Sequence, residues 1–306
     1  MQESASENIK VSSQDEPKSF YYKIKKEFAC IEITAPDINS KFSDDKTEFD
    51  KEASKYFFTP VSCQDNYTGN YDNYVRSTLL HIISLKELPY EKALLSPNLY
   101  KNYPSKQIKE ALSSNKKLIL LDLDETLIHS VYDINYKNNN LFDTIIRFKD
   151  SSSSSGEYYS IGIYVRNGVK KFLKILNNYF IIGIFTASEK DYADAIIKYL
   201  DPDKNIIKFC LYRNNCINVN GLINIKDLRI IKDIDLRKTI LIDNSMYSFA
   251  LQLSNGILIN SFYEDKNDVE LFCVLNYLIE YILPADDVRD VNEKVFGFKK
   301  ICQQLE

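Results

Sequence analysis

Asp122 and Asp124 are the residues of this chain whose types and spacing most directly imply chemistry. They follow an apolar run, Leu118-Ile119-Leu120-Leu121, and open the stretch Asp122-Leu123-Asp124-Glu125-Thr126. A short apolar run bounded in this way reads as a buried parallel strand. Two carboxylates at the carboxyl end of such a strand lie where open α/β sheets keep their ligand crevice. A core has no use for them unpaired, because burying uncompensated charge is costly. A metal ion or a phosphate reaction accounts for them.

Three further motifs fit that reading. Ile184-Phe185-Thr186-Ala187-Ser188 is an apolar run ending in hydroxyls. Asn224-Ile225-Lys226-Asp227-Leu228 carries a lysine between an isoleucine and an aspartate. Leu241-Ile242-Asp243-Asn244-Ser245 ends in a carboxylate and an amide. Each has a plainer use when taken singly. Thr186 or Ser188 can begin a helix as an N-cap, Asp243-Asn244-Ser245 can form a turn, and Lys226 can be a solvated surface lysine. Together they supply what a phosphate monoester requires. Its negative charge repels nucleophiles, and a magnesium ion held by hard oxygen ligands neutralises that charge. A carboxylate can then attack phosphorus and form an aspartyl-phosphate. A second carboxylate gives a proton to the leaving oxygen and later takes one from water. Hydroxyl, backbone N–H and lysine donors hold the transferred oxygens, where most of the stabilisation lies.

The elements that must position these residues follow from periodicity. Strands are predicted at Leu118–Leu123, Phe180–Thr186, Thr239–Ile242 and Gly256–Asn260. Helices are predicted at Gly168–Asn177, Lys190–Leu200, Met246–Leu253 and Asp268–Ile282, where apolar residues recur every three or four positions. Strands alternating with helices imply an α/β fold, a doubly wound parallel sheet covered on both faces with right-handed connections. Thr144–Phe148 and Tyr158–Val165 alternate in polarity around the run Ser151–Gly156, so an inserted β-hairpin with a linker-like tip is expected within about 131–165. Asp287–Leu305 reads as a helix broken near Gly297. Residues 1–70 are polar and mixed, and read as a largely disordered arm with one short apolar island, Phe28–Ile33. Residues 71–115 are expected to form a helical extension, with breaks at Ser96-Pro97 and Tyr103-Pro104. The phosphate-directed domain is expected over 116–306.

Composition bounds the function classes. The chain has 306 residues, 44% of them hydrophobic, and a formal net charge of -4. That charge argues against direct nucleic-acid binding, which usually takes a basic protein. Six cysteines without a C-x-x-C pair, and only two histidines, leave no expected zinc site. All six thiols are expected to be reduced, as in an intracellular protein. The acidic, polar start carries no secretory or mitochondrial signal. No stretch approaches the roughly 18 apolar residues of a membrane span.

The motifs also resemble those of the haloacid dehalogenase superfamily of phosphotransferases. More narrowly, the chain is similar to the phosphatases acting on the C-terminal domain of RNA polymerase II, the small-phosphatase and NLI-interacting-factor group. The resemblance covers about residues 116–292 and falls in six ordered blocks. These are Asp122–Ser130, Val165–Val169, Phe185–Asp194, Leu211–Cys216, Ile242–Ser245 and Asp265-x-x-Asp268-x-Glu270-Leu271. It implies a Rossmann-like domain of the superfamily type, with Asp122 as nucleophile and Asp124 as general acid and base. Magnesium would be held by Asp122, Asp124 (through its backbone carbonyl), Asn244 and Asp243. Thr186 and Lys226 would hold the phosphate, Thr126 would orient the first loop, and Arg213 would lie near the substrate groove. The chain departs from the group at Asn167, Cys210, Met246 and Phe262, positions that bear on peptide selection rather than on the chemistry.

The expectation is therefore a magnesium-dependent phosphatase of phosphoserine or phosphothreonine in flexible protein segments, with the polymerase tail as leading substrate. A nuclear or cytoplasmic location and no membrane span go with it. The alternatives are a phosphatase of other phosphoproteins or of regulators of lipid metabolism, and a phosphopeptide-binding module that has lost turnover. Relatives in the lipid branch usually carry a membrane anchor, and no such stretch is present in this sequence.

Overall fold

The computed structural model describes residues 68–86, 108–109, 112–132, 141–149 and 158–306. Chain contacts divide into two units, Met1–Asp44 and Asp45–Glu306, and the described residues all belong to the second. The arm expected over 1–70, apart from its last three residues, lies outside the described residues. So do Cys30, Cys63, the two expected breaks at Ser96-Pro97 and Tyr103-Pro104, and the serine run.

In chain order the elements are α1 (Thr68–Lys86), β1 (Leu118–Leu121), β2 (Ile128–Val131), β3 (Thr144–Lys149), β4 (Tyr158–Val165), α2 (Val169–Tyr179) and β5 (Ile181–Phe185). There follow α3 (Lys190–Leu200), β6 (Ile207–Leu211), β7 (Ile217–Val219), β8 (Ile223–Ile225), β9 (Thr239–Asp243) and β10 (Gly256–Leu258). The chain ends with α4 (Glu270–Tyr277), α5 (Val288–Phe296) and α6 (Phe298–Leu305).

The central sheet has the order β10-β9-β1-β5-β6, and its neighbours are all parallel. Every residue of β1, β5, β9 and β10 is buried, as continuous apolar runs in a doubly covered sheet must be. The chain lays down β1, β5 and β6 outward in one direction, then returns to lay down β9 and β10 on the other side. The reversal lies between β1 and β9, and a ligand crevice belongs at the carboxyl ends of those two strands.

Four predicted strands are present and a fifth, β6, was not expected. Its residues alternate: Ile207, Phe209 and Leu211 are buried and Lys208 is exposed. Such alternation marks an edge strand rather than a central one, so a search for apolar runs passes over it. The predicted insert is present as β3 and β4, antiparallel from Thr144↔Ile163 to Lys149↔Tyr158. β2 joins them, giving a separate three-stranded sheet in the order β2-β4-β3.

The helix expected over Met246–Leu253 is replaced by two 3₁₀ turns, Met246–Phe249 and Leu253–Asn255. In an α-helix the Ser248 carbonyl would accept from the N–H four residues on, at Gln252. Here it accepts from Lys226 N–H at 2.8 Å, and the Gln252 N–H turns to Phe249 O at 3.0 Å. The helix expected over Asp268–Ile282 is α4, followed by a π-turn at Leu278–Ile282. The break near Gly297 is present, with Gly297 at φ 61° between α5 and α6. This left-handed conformation is one glycine adopts without a Cβ penalty.

Candidate active site

Asp122 immediately follows β1 and its N–H donates to Ile242 O of β9 at 3.0 Å. This bond carries the strand pairing one residue past β1 and aims the Asp122 side chain into the crevice. Asp243 is the last residue of β9. Lys226 follows β8, the second strand of a hairpin whose tight turn holds Asn220 and Gly221 at φ 52° and 76°. Val219 pairs with Ile223, so Asn220, Gly221 and Leu222 make the loop, closed by the Leu222 N–H on Val219 O at 3.0 Å. The hairpin brings the lysine inward: Lys226 Nζ donates to Asp122 Oδ1 at 2.5 Å and to Asp243 Oδ2 at 2.6 Å, and all three side chains are buried.

Thr126 lies on the turn after β1. Its hydroxyl is 3.1 Å from Asp122 Oδ2 and 3.4 Å from Asn244 Oδ1. One hydroxyl proton serves one of these oxygens at a time, so lone pairs on the two face a common point. The Asn244 amide is anchored from the other side, its Nδ2 donating to Ser261 Oγ at 3.0 Å. The turn itself is tight. The N–H groups of Thr126, Leu127 and Ile128 all donate to Leu123 O, and Glu125 takes φ 57°. A non-glycine residue in the left-handed region is uncommon and concentrates at functional sites.

Asp124 faces a different environment. Its Oδ2 accepts from Ser188 Oγ at 2.6 Å and its Oδ1 accepts from the Tyr192 hydroxyl. Thr186 is buried at the end of β5, its N–H bonded to Leu211 O at 3.0 Å and its hydroxyl accepting from Ser188 N–H at 3.1 Å. Arg213 is exposed at the lip. Its Nε donates to Ala187 O at 2.6 Å and its Nη1 to Glu189 Oε1 at 3.2 Å. The structure thus joins Asp122, Thr126, Lys226, Asp243 and Asn244 in one hydrogen-bonded group. Asp124 and Thr186 belong to a second group linked through Ser188, and Arg213 bonds to the loop bearing that serine. Sequence reasoning gave no role to Tyr192, Arg166 or Asp268. The signal for Tyr192 was its place in the Phe185–Asp194 block, one helical turn past Ser188.

Burial outweighs the pull of Lys226 on Asp122 and pushes its carboxyl up to about 7, with Asp243 and Asp124 adding to the rise. For Lys226, burial opposes the charged form, but Asp122 and Asp243 more than offset it and raise its pKa. Lys226 therefore stays protonated. Two carboxylates, Asp122 and Asp243, face one ammonium, an excess of negative charge that a divalent cation would neutralise. Among the described residues no three His, Cys, Asp or Glu side chains converge as a metal cage. The donors that fit are the Asp122 carboxylate and the Asn244 amide oxygen, hard oxygens of the kind magnesium takes while keeping several waters.

An aromatic wall stands beside Asp124. Tyr192 stacks on Tyr132 with ring centres 6.3 Å apart and meets Phe148 edge-on at 5.8 Å, and Phe148 stacks on Tyr159 at 5.9 Å. Tyr132, Phe148 and Tyr159 come from the three-stranded insert and its flank, so the insert forms one side of the crevice mouth.

Residues 117–289 match the family model described as NLI interacting factor-like phosphatase. The chain belongs to this family. CTD small phosphatase-like protein 3 of Caenorhabditis elegans is 32% identical over 232 residues, covering 72% of this chain and 76% of that protein. CTD small phosphatase-like protein 2 of Dictyostelium discoideum is 36% identical over 192 residues, 63% of this chain and 32% of that one. Nuclear envelope morphology protein 1 of Saccharomyces cerevisiae is 30% identical over 270 residues, 78% of this chain and 60% of that one. The chain thus spans about three quarters of the first relative and about a third of the second. The solved fission yeast RNA polymerase II CTD phosphatase Fcp1 is similar over 65% of this chain and 55% of that one, at 19% identity and a TM-score of 0.42. For this member of the NLI interacting factor-like phosphatases, no helix among the described residues is long and apolar enough to cross a membrane.

Proposed function

We propose that this chain is a magnesium-dependent protein phosphatase that acts on phosphoserine or phosphothreonine in extended protein segments through an aspartyl-phosphate. The observation that carries the reading is the unlike surroundings of the two carboxylates. Asp122 is held by a buried lysine and a threonine, whereas Asp124 is held by two hydroxyls at the mouth. Paired carboxylates in different environments can divide nucleophile from acid, and a divalent cation against Asp122 would offset the burial that raises its pKa and leave it ionised for attack.

Asp122 attacks phosphorus, forming its O–P bond as the bond to the seryl oxygen breaks. Asp124 gives the leaving oxygen its proton. It then takes a proton from the water that cleaves the aspartyl-phosphate. Thr186 and Lys226 hold the phosphoryl oxygens, and Thr126 keeps Asp122 turned toward them. Asp122, the Asp124 carbonyl and Asn244 would hold magnesium, which supplies charge neutralisation of the phosphate, with Asp243 next to that shell, its two oxygens accepting from Lys226 and the Ser245 N–H. Arg213 and the aromatic wall of Tyr132, Phe148, Tyr159 and Tyr192 lie where the peptide flanking the phosphate would run. The polymerase tail is the leading substrate, in keeping with the names of the CTD small phosphatase-like relatives.

A second reading, a phosphatase of regulators of lipid metabolism, draws on the likeness to nuclear envelope morphology protein 1. Hydrolysis of an aryl phosphate, with and without magnesium, tests the chemistry shared by both readings. Asp122→Asn is expected to lower kcat by about 10³-fold or more with its fold retained by circular dichroism. Equal turnover by both proteins would overturn the mechanism. A panel of tail phosphopeptides and unrelated phosphoproteins then decides the substrate: preference for the latter removes the polymerase tail.

A further inference from the structure

Arg166 is 1% exposed and lies outside the group of side chains that face the crevice. Its guanidinium is nevertheless bonded to the back of that group. Nε and Nη2 donate to the two carboxylate oxygens of Asp268 at 2.8 Å each, a bidentate pair. Nη2 also donates to Asn260 O at 2.8 Å, and Nη1 donates to Thr126 O at 2.9 Å. The guanidinium lies over the Phe262 ring, 5.5 Å from its centre, and Phe262 N–H donates to Glu125 O at 2.7 Å. One buried side chain thereby ties the turn after β1 to the segment after β10 and to the lead-in of α4.

Stability alone is a poor account of this arrangement. Burying an ion pair costs desolvation that its attraction often fails to offset, and an apolar replacement of similar volume is often as stable. Leverage on the site is a better account. The anchored carbonyl belongs to Thr126, whose own hydroxyl touches Asp122 Oδ2 and Asn244 Oδ1. The neighbouring Glu125 holds φ 57°, a conformation that needs outside support. That support comes from the Phe262 N–H on the Glu125 carbonyl, beneath the same guanidinium.

We propose that Arg166 and Asp268 are positioning residues, which hold Thr126 so that the Asp122 and Asn244 oxygens converge on the divalent cation. The inference rests on the phosphatase reading for its effect on turnover. Its effect on cation binding stands apart from that reading. Lysine at position 166 would keep one charge next to Asp268 but could not reach Thr126 O and Asn260 O while gripping both carboxylate oxygens.

The test compares wild type with Arg166→Lys, Arg166→Met and Asp268→Asn. Magnesium binding to each is measured by calorimetric titration, kcat and KM on an aryl phosphate are measured separately, and folding is checked by circular dichroism. The expected result is a 10- to 100-fold weaker magnesium affinity and a similar fall in kcat, roughly the size of effects transmitted through a ligand's supporting bonds, with KM nearly unchanged. Arg166→Lys carries the test if Arg166→Met does not fold. Variants that melt earlier but bind magnesium and turn over as wild type would overturn the proposal and leave the pair structural. An inactive wild type that binds magnesium more tightly than the variants would support the clamp and remove the phosphatase reading instead.

Discussion

Glu270 shows how far one buried carboxyl can stand from its ordinary state without belonging to the reaction. It is 7% exposed, its Oε1 accepts from the Asn260 amide, and its Oε2 takes no hydrogen bond from the described residues. Burial pushes it up to about 7, against the pull of Arg166 and Asn260. In the unfolded chain it ionises near 4.5. Between those values the folded state holds a proton that the unfolded state has lost, so stability is greatest below about 4.5 and falls as pH rises to about 7. The contribution is on the order of 3 kcal/mol. Glu270→Gln should therefore lose the pH-dependent part: its urea midpoint should gain on wild type between pH 5 and pH 8, and parallel curves would refute the assignment. The candidate site residues were legible because polar types at strand ends contradict the pattern around them. Glu270 and Arg166 were not legible as special, because each was read only as a letter in a block and its partner lies elsewhere in space.

At the scale of elements, short irregular pieces carry the positioning. The β7–β8 hairpin delivers Lys226, and the 3₁₀ turn at Met246–Phe249 receives the Lys226 N–H through Ser248 O. That turn is pressed between the crevice and β10. A Cβ on Gly256 would overlap the Phe249 ring, and Phe249 is itself stacked on Phe298. Gly256→Ala is thus expected to cost about 1–3 kcal/mol through overpacking, read by chemical denaturation. A neutral result would mean that the ring moves freely and that the turn is not held from behind. The central strands were legible as apolar runs, since a strand covered on both faces permits nothing else. The 3₁₀ turns were not, because the helical spacing over Met246–Leu253 is genuine and is diverted by tertiary hydrogen bonds, from the Lys226 N–H to Ser248 O and between the Gln252 side chain and Asp227 and Leu228.

At the scale of the molecule, α1 belongs to the same core as the sheet's cover. Val75, Leu79 and Ile82 are buried together with Met246, Phe249, Phe298 and Cys302, and His81 Nδ1 lies 2.9 Å from the Tyr247 hydroxyl. Leu79→Ala should therefore cost about 2–5 kcal/mol, the range for emptying a core leucine site, measured by urea unfolding. A change near zero would show that α1 is dispensable to this core. The sequence by itself determined four of the five central strands, the order of the motifs and hence the class of chemistry. Those features are local: an apolar run, its end, and the polar residues that follow. Tertiary structure decided which of those residues share a site. The bond from Lys226 to Asp122 spans 104 positions and the pair Arg166–Asp268 spans 102. No local period encodes separations of that size. They close only when β9 returns beside β1 and brings the ends of distant strands to one crevice.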